Sequence, residues 1–229
     1  MINQKKPNIL FTTQLKKDRL AALQSSGFSV EAVPFITFEY VIPAMWISQL
    51  PDKIDTWIFT SKKAVKALKP AINDLNVPDH IFAVGSKTAE KLESLNLEVT
   101  IPDEYNVAAL AKKMKDLDLR DVVHFCGNLK AGDLNKLLGE GTNLTSVEVY
   151  RTKLAPHTLN TSNYDGIVFM SPSAVESFSE RNEVNGTAQI FCIGTTTEEA
   201  AKEAGFKDCI TPEYSTLDSL TESIQTYFN

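Results

Sequence analysis

The chain repeats itself at an interval of about 110 residues. "IFTSKKAV" (58–65) and "VFMSPSAV" (168–175) place Ser61 and Ser171 110 positions apart. "IFAVGSKTAEKL" (81–92) matches "IFCIGTTTEEAA" (190–201) at an offset of 109, and "IPDEY" (101–105) matches "TPEY" (211–214). Because these landmarks keep nearly the same offset, they indicate an internal duplication, which predicts two similar domains.

Each copy alternates short apolar runs with helical segments of about ten residues. "DTWIFT" precedes "SKKAVKALKPAINDL", and "YDGIVFM" precedes "SPSAVESFSERN". The same alternation predicts strands at "LEVTIP" (97–102) and "DCITP" (208–212). Such β-α units build parallel sheets, so we predict an α/β fold with two open parallel-sheet domains of the flavodoxin or Rossmann type. The duplication alone allows contiguous halves as well as an interleaved arrangement.

Charge and composition exclude several classes of partner. The net charge is −6 and no basic block is present, which argues against nucleic-acid binding. No run approaches the roughly 18 apolar residues that a membrane span requires. The three cysteines stand at no metal-binding or redox spacing, so we expect reduced thiols, no metal site and a cytoplasmic location.

Six predicted strand-to-helix turns contain no acidic residue: "FTTQ" (11–14), "FTSKK" (59–63), "VGSKT" (84–88), "FCGNLK" (125–130), "MSPS" (170–173) and "IGTTT" (193–197). Ligands of open parallel sheets bind at the carboxyl ends of the strands, and helix N-termini favour anions. The turns therefore predict anion binding, although each one alone is explained as well by helix capping. Glu198 and Glu199 oppose an anion unless they point away from it.

Motifs for other chemistry are missing from the sequence. No G-x-G-x-x-G fingerprint follows the first predicted strand, which argues against a nucleotide-linked α/β enzyme. A non-catalytic two-domain protein that binds a small anion remains an alternative to an enzyme.

Six motifs, taken in order, resemble the uroporphyrinogen-III synthases of the tetrapyrrole pathway: "IFTSKKAV", "AVGSKTAEKL", "FCGNLK", "VEVYRT", "SPSAV" and "IGTTTEEAAKEAG". The resemblance covers nearly the whole chain. It implies a lyase that closes hydroxymethylbilane, a linear tetrapyrrole with eight carboxylates, into uroporphyrinogen III. Water is lost and ring D is inverted through a spiro intermediate. The resemblance implies no metal and no organic cofactor.

The resemblance also implies an interleaved architecture with a cleft between two domains. Residues 1–37 and 155–229 would form one domain, and residues 51–145 the other. Residues 38–50 and 146–154 would form two linker strands. A monomer with hydroxymethylbilane as its small-molecule partner is expected.

For the site, the resemblance implies that Tyr150 of "VEVYRT" assists departure of the substrate hydroxyl. Without the resemblance, a strand tyrosine that packs against its neighbours is the simpler interpretation. Many bacterial relatives carry an arginine where this chain has Thr13, which leaves the contribution of the first turn open. The expected substrate-binding residues are Thr12, Ser61, Lys62, Gly85, Ser86, Lys87, Thr88, Gly127, Asn128, Lys130, Ser171, Ser173, Thr195, Thr196 and Thr197.

Overall fold

The computed structural model describes residues 6–115, 117, 119–129, 134–184 and 187–228. The strands in these ranges are β1 (Asn8–Phe11), β2 (Ser29–Ala32), β3 (Ile36–Tyr40), β4 (Thr56–Phe59), β5 (His80–Ala83), β6 (Asp121–Gly127), β7 (Asn143–Leu154), β8 (Gly166–Phe169) and β9 (Gln189–Cys192). The α-helices are α1 (Lys17–Ser25), α2 (Pro43–Ile47), α3 (Lys62–Leu68), α4 (Ser86–Glu93), α5 (Val107–Lys115), α6 (Leu134–Leu138), α7 (Pro172–Ser179), α8 (Thr195–Glu203) and α9 (Leu217–Phe228). Short 3-10 helices cover Lys69–Asp74 and Thr161–Asn163.

The chain divides into two compact units. The first unit combines Met1–Thr37 with Lys153–Asn229, and the second is the continuous segment Phe38–Thr152. The divisions fall within β3 and within β7. The linker segments 38–50 and 146–154 that the family resemblance implies stay a prediction.

Each unit contains one sheet with the same central strand order. The first sheet has the order β2-β1-β8-β9, and the second has the order β3-β7-β6-β4-β5. The segment β7-β6-β4-β5 therefore repeats the arrangement of the first sheet. Neighbouring strands in these repeated segments run parallel, with Ile9 opposite Gly166 and Thr56 opposite Val122. The predicted α/β fold with parallel sheets is confirmed.

Helices cover both faces of each sheet, which explains the continuous apolar runs of the strands. In β4, Trp57 and Phe59 pack into one buried cluster, while Ile58 packs into another. In β1, Leu10 likewise faces a different cluster from Ile9. A parallel strand that is buried on both faces has no solvent side on which polar residues would alternate.

The strands predicted at "LEVTIP" and "DCITP" are wrong in extent. Only the isolated bridges Phe82↔Thr100 and Phe191↔Ile210 form there. A proline follows each bridge two residues later, at Pro102 and Pro212. Proline has no N–H to donate to a ladder, so pairing beyond the bridge loses a hydrogen bond.

Candidate functional site

The two serines that mark the sequence repeat cap equivalent helices. Ser61 precedes α3 with φ −149° and ψ 136°, and its Oγ accepts a hydrogen bond from the Lys63 N–H at 3.1 Å. Ser171 precedes α7 with φ −169° and ψ 157°, and its Oγ accepts from the Ala174 N–H at 3.2 Å. Ser171 Oγ also lies 3.2 Å from Ser173 Oγ. Their hydroxyls are therefore already engaged as caps.

The second repeated turn has glycine at the cap position instead of serine. Gly85 precedes α4 and Gly194 precedes α8, and the backbone is extended at both. Glycine has no side chain with which to cap the first N–H groups of a helix. The first turns contain the partly exposed Ser86 and the exposed Lys87, Thr195 and Thr196. These two turns thus offer peptide N–H groups that no cap side chain occupies.

Three of the predicted threonines lie beneath the turns. Thr12 is fully buried, and its Oγ1 donates a hydrogen bond to the Val168 carbonyl at 2.8 Å. Thr88 and Thr197 are also buried, with exposed fractions of 7% and 1%. The Thr12 hydroxyl therefore joins β1 to β8, where it supports the turn from inside the protein.

Tyr150 and Gly127 come together at the carboxyl end of β6. The register between β6 and β7 shifts between Cys126 and Gly127, so that Cys126 pairs with Glu148 but Gly127 pairs with Tyr150. A Cβ on Gly127 would lie 2.6 Å from Cζ and 2.9 Å from the hydroxyl of Tyr150. Only glycine leaves room for the phenol ring at this place.

Asn128 holds β7 at the same position. Its Oδ1 accepts a hydrogen bond from the Thr152 N–H at 2.8 Å, and its Nδ2 donates to the Thr152 carbonyl at 3.2 Å. The Asn128 N–H donates to the Tyr150 carbonyl at 3.3 Å. The amide side chain thus continues the ladder by one step beyond the register shift, and Asn128 fixes the β7 backbone at Tyr150 and Thr152.

An aromatic side chain lies next to Tyr150, and a lysine lies over that aromatic ring. The Phe38 ring contacts the Tyr150 ring edge-on, with 6.4 Å between centroids. The Lys63 Nζ lies 3.8 Å from the Phe38 centroid, within cation–π range. Burial, and to a lesser extent the charge of Lys62, lower the pKa of the Lys63 ammonium. The sequence motifs identified Lys62, which is exposed, but gave no sign of Phe38.

The other charged residues near the predicted turns are placed as follows. Lys87 is exposed, and Lys130 lies outside the described residues. The Glu198 carboxylate pairs with Lys202 and accepts a hydrogen bond from Thr211 Oγ1 at 2.8 Å. These two hydrogen bonds lower the pKa of Glu198. Because the Glu198 carboxylate is already paired with Lys202, it repels an anion at this turn less strongly.

Tyr105, which lies beside the Gly85 turn, and its repeat counterpart Tyr214 are absent from the residues that the motifs predicted. Tyr105 lies against Gly85, with its Cβ 3.9 Å from where a Gly85 Cβ would be. Tyr105 and its repeat counterpart Tyr214 have exposed fractions of 62% and 63%. The matching "IPDEY" and "TPEY" segments of the repeat identify these two tyrosines as equivalent and could have indicated them.

Neither a metal cluster nor a membrane-spanning helix occurs in the described part of the chain. It contains no group of three or more His, Cys, Asp or Glu residues arranged to hold a metal ion. Within the same residues, no helix has the length and apolar character needed to cross a membrane.

Comparisons with known proteins give one consistent family. A family model described as uroporphyrinogen-III synthase HemD matches residues 18–222. A uroporphyrinogen-III synthase of Chlorobaculum parvum is 28% identical over 223 residues, which cover 86% of this chain and 89% of the relative.

Solved structures show the same fold at lower sequence identity. A mutant uroporphyrinogen III synthase of Thermus thermophilus superposes with a TM-score of 0.69 at 18% identity, over 97% of each chain. A uroporphyrinogen-III synthetase of Helicobacter pylori gives a TM-score of 0.70 at 18% identity, over 96% of this chain and 99% of that one.

Proposed function

The chain belongs to the uroporphyrinogen-III synthase family and is an enzyme of the lyase class, and we propose that Tyr150 and the strand-to-helix turns of its two units act on hydroxymethylbilane. The product is uroporphyrinogen III, formed with loss of water and inversion of ring D. The observation that carries this assignment of roles is the phenol of Tyr150 held over Gly127 by the register shift in β7. A non-catalytic anion-binding protein is not favoured, because the family match spans most of the chain.

In the first step, the Tyr150 phenol donates to the hydroxyl that leaves the substrate. The C–O bond breaks as the pyrrole nitrogen releases electrons, and the departing oxygen takes a proton and leaves as water. The resulting azafulvene is attacked by the substituted carbon of ring D, which gives the spiro-pyrrolenine. Fragmentation and reclosure invert ring D, and the proton lost at reclosure restores the phenol. General acid assistance of this kind contributes about 10²- to 10⁴-fold.

The Tyr150 hydroxyl is free for this role within the described residues, because no side chain or main-chain group there bonds to it. Its ring contacts both the Gly127 backbone and the Phe38 ring. A phenol that is fixed at the ring but unpartnered at the hydroxyl has the preorganisation expected of a general acid.

Substrate carboxylates would bind at the turns of each unit, mostly through uncharged N–H groups. The uncapped first turns after Gly85 and Gly194 are the best placed for this, since α4 and α8 present free peptide hydrogens there. Neutral donors suit a chain whose net charge of −6 supplies no general attraction for a polyanion. Thr88 and Thr197 would support these two turns from the interior, and Thr12 would support the turn after β1.

The remaining proposed contacts come from the residues that the family resemblance identifies. They are Ser61, Lys62, Ser86, Lys87, Gly127, Asn128, Ser171, Ser173, Thr195 and Thr196. The absence of a cofactor, the monomeric state, the cytoplasmic location and the cleft between domains stay predictions.

The assignment is tested by the isomer that the protein produces. Freshly prepared hydroxymethylbilane is incubated with the protein, and the uroporphyrinogen isomers are separated after oxidation. Spontaneous closure gives the type I isomer, so we expect type III to accumulate in proportion to the amount of protein. A product that contains type I alone would overturn the assignment.

A further inference from the structure

Lys63 is held against an aromatic ring beside the proposed general acid. It is the second residue of α3, and its Nζ lies 3.8 Å from the centroid of the Phe38 ring. A cation over an aromatic face is attracted by the negative potential of that face. The Phe38 ring therefore fixes where the end of this long side chain lies.

No carboxylate in the described part of the chain pairs with the Lys63 ammonium. Within the described residues Lys63 forms no ion pair, whereas Lys113 pairs with Asp103 and Lys202 with Glu198. The first turn of α3 contains no acidic residue and does contain a second lysine, Lys62. Partial burial of the ammonium, together with the charge of Lys62, lowers the pKa of Lys63. A bound anion would offset both the desolvation of the Lys63 ammonium and its repulsion by Lys62.

The Phe38 ring connects this cation to the reaction centre. One part of the ring is covered by Lys63, and its contact with Tyr150 is edge-on at 6.4 Å between centroids. Phe38 keeps an exposed fraction of 36%, so the cluster is open to a ligand. In a substrate with its hydroxymethyl group at Tyr150, the acid side chains of that same pyrrole would lie nearest to the Phe38–Lys63 pair.

We propose that Lys63 binds a substrate carboxylate on the pyrrole that bears the hydroxymethyl group, with Phe38 as the residue that positions the ammonium. This inference rests on the proposed function of Tyr150. An unpaired ammonium would disfavour the positive charge that develops on the pyrrole as water leaves, and a bound carboxylate neutralises the charge of that ammonium. Lys63 thus contributes to substrate binding. Once it is paired with the carboxylate, its positive charge no longer opposes the departure of the substrate hydroxyl.

The test compares four variants by KM, kcat and product isomer. Lys63→Met removes the charge but keeps the length, and Lys63→Arg retains the charge. Phe38→Leu removes the aromatic ring under Lys63. Lys66→Met is the matched control, because Lys66 also lies over an aromatic ring, that of Tyr40 at 4.9 Å, one turn along the same helix.

We expect Lys63→Met to raise KM on the order of 10- to 100-fold with a much smaller change in kcat, as the loss of one charge-assisted hydrogen bond predicts. Lys63→Arg should restore most of the lost affinity, and Lys66→Met should behave as the wild type. Phe38→Leu should raise KM by a smaller factor. A KM for Lys63→Met equal to that of the control would overturn the proposal.

A binding measurement separates this inference from the proposed function. Uroporphyrinogen III, which has the same carboxylates as the substrate, is titrated into each variant without turnover, and thermal unfolding confirms that each variant is folded. Weaker binding by Lys63→Met than by Lys66→Met supports the inference, and equal binding contradicts it. If the wild type made type I isomer only, the proposed function would fail, whatever the Lys63 variants bind.

Discussion

The phenol ring of Tyr150 lies over the α-carbon of Gly127, so close that a methyl group on Gly127 would be 2.6 Å from the ring carbon Cζ. The shifted register between β6 and β7 creates this contact, because it pairs Tyr150 with Gly127 directly after Cys126 pairs with Glu148. The proposed general acid is therefore positioned by the main-chain geometry at Gly127 and by its contact with the Phe38 ring.

Replacement of Tyr150 by phenylalanine tests the role of the hydroxyl alone. The ring contacts with Gly127 and Phe38 are kept, so the unfolding temperature should change little. The rate of type III formation should fall by about 10²- to 10⁴-fold if the phenol is the general acid. Steady-state kinetics with isomer analysis measures this, and an unchanged kcat would remove Tyr150 from the mechanism.

Replacement of Gly127 by alanine should displace the Tyr150 ring. Overpacking of this kind costs about 1–3 kcal/mol of unfolding free energy. The cost should largely disappear when Tyr150 is also changed to alanine, because the clash then has no partner. Denaturant unfolding of both single variants and the double variant gives the coupling energy. Additive effects would show that the two residues do not meet in solution.

Asn128 provides a separate test of how the Tyr150 strand is held. Its amide bonds both the N–H and the carbonyl of Thr152. Asn128→Ala removes both hydrogen bonds and should cost about 1–2 kcal/mol of unfolding free energy, with a lower kcat as Tyr150 loses its fixed position. Asn128→Asp keeps the acceptor and should lie in between. A loss of activity in Asn128→Ala with unchanged stability would show that Asn128 acts through its proposed contact with substrate and not through its support of β7.

Tyr164 should make unfolding sensitive to alkaline pH. Burial, and then the hydrogen bond from its hydroxyl to the Glu31 carboxylate at 2.7 Å, raise the pKa of Tyr164 far above its usual value of 10.0. The folded state therefore keeps this proton at a pH where the unfolded state loses it. The resulting stability is present below about pH 10 and declines as the pH rises further.

The comparison for this pH effect is Tyr164→Phe. The variant should be less stable at neutral pH but should lose unfolding free energy less steeply than the wild type above about pH 10. Chemical denaturation at several alkaline pH values measures both slopes. The buried Cys192 thiol also has a raised pKa and remains in both proteins, so its contribution cancels in the comparison. Parallel curves would contradict the assignment to Tyr164.

The sequence predicted those features that depend on local pattern. The alternation of strands and helices could be predicted because helices cover both faces of each sheet, so central strands such as β4, around Ile58, are continuous apolar runs. The number of residues that pair in each strand could not be predicted. The segments at Thr100 and Ile210 form only isolated bridges before a proline. Whether two segments pair depends on contacts that one segment does not encode.

The candidate site was predictable in residue type but not in orientation. Thr12 and Ser61 have the expected hydroxyls, yet Val168 and the α3 backbone already engage them. Of two adjacent lysines, only Lys63 turns onto the Phe38 ring, which is 25 positions away in the sequence. Long-range packing decides which of the two lysines contacts the ring. A motif that contains two adjacent lysines cannot distinguish between them.

Gly85 is the position at which the approach of a substrate carboxylate can be tested with little disturbance of the protein. A Cβ there would have its nearest neighbours at 3.9 Å, in Tyr105, and its extended backbone is open to alanine. Gly85→Ala should therefore change the unfolding free energy by only a few tenths of a kcal/mol. If a carboxylate approaches the first peptide N–H groups of α4, the added methyl group should raise KM by about tenfold or more while kcat changes less. Gly194→Ala is the partner variant for the second unit, in which the added Cβ would lie 2.5 Å from Ser215 Oγ, so that this hydroxyl has to rotate away. A Gly85→Ala protein with wild-type KM would mean that substrate does not reach this turn, and the anion-binding role would then belong to the other turns alone.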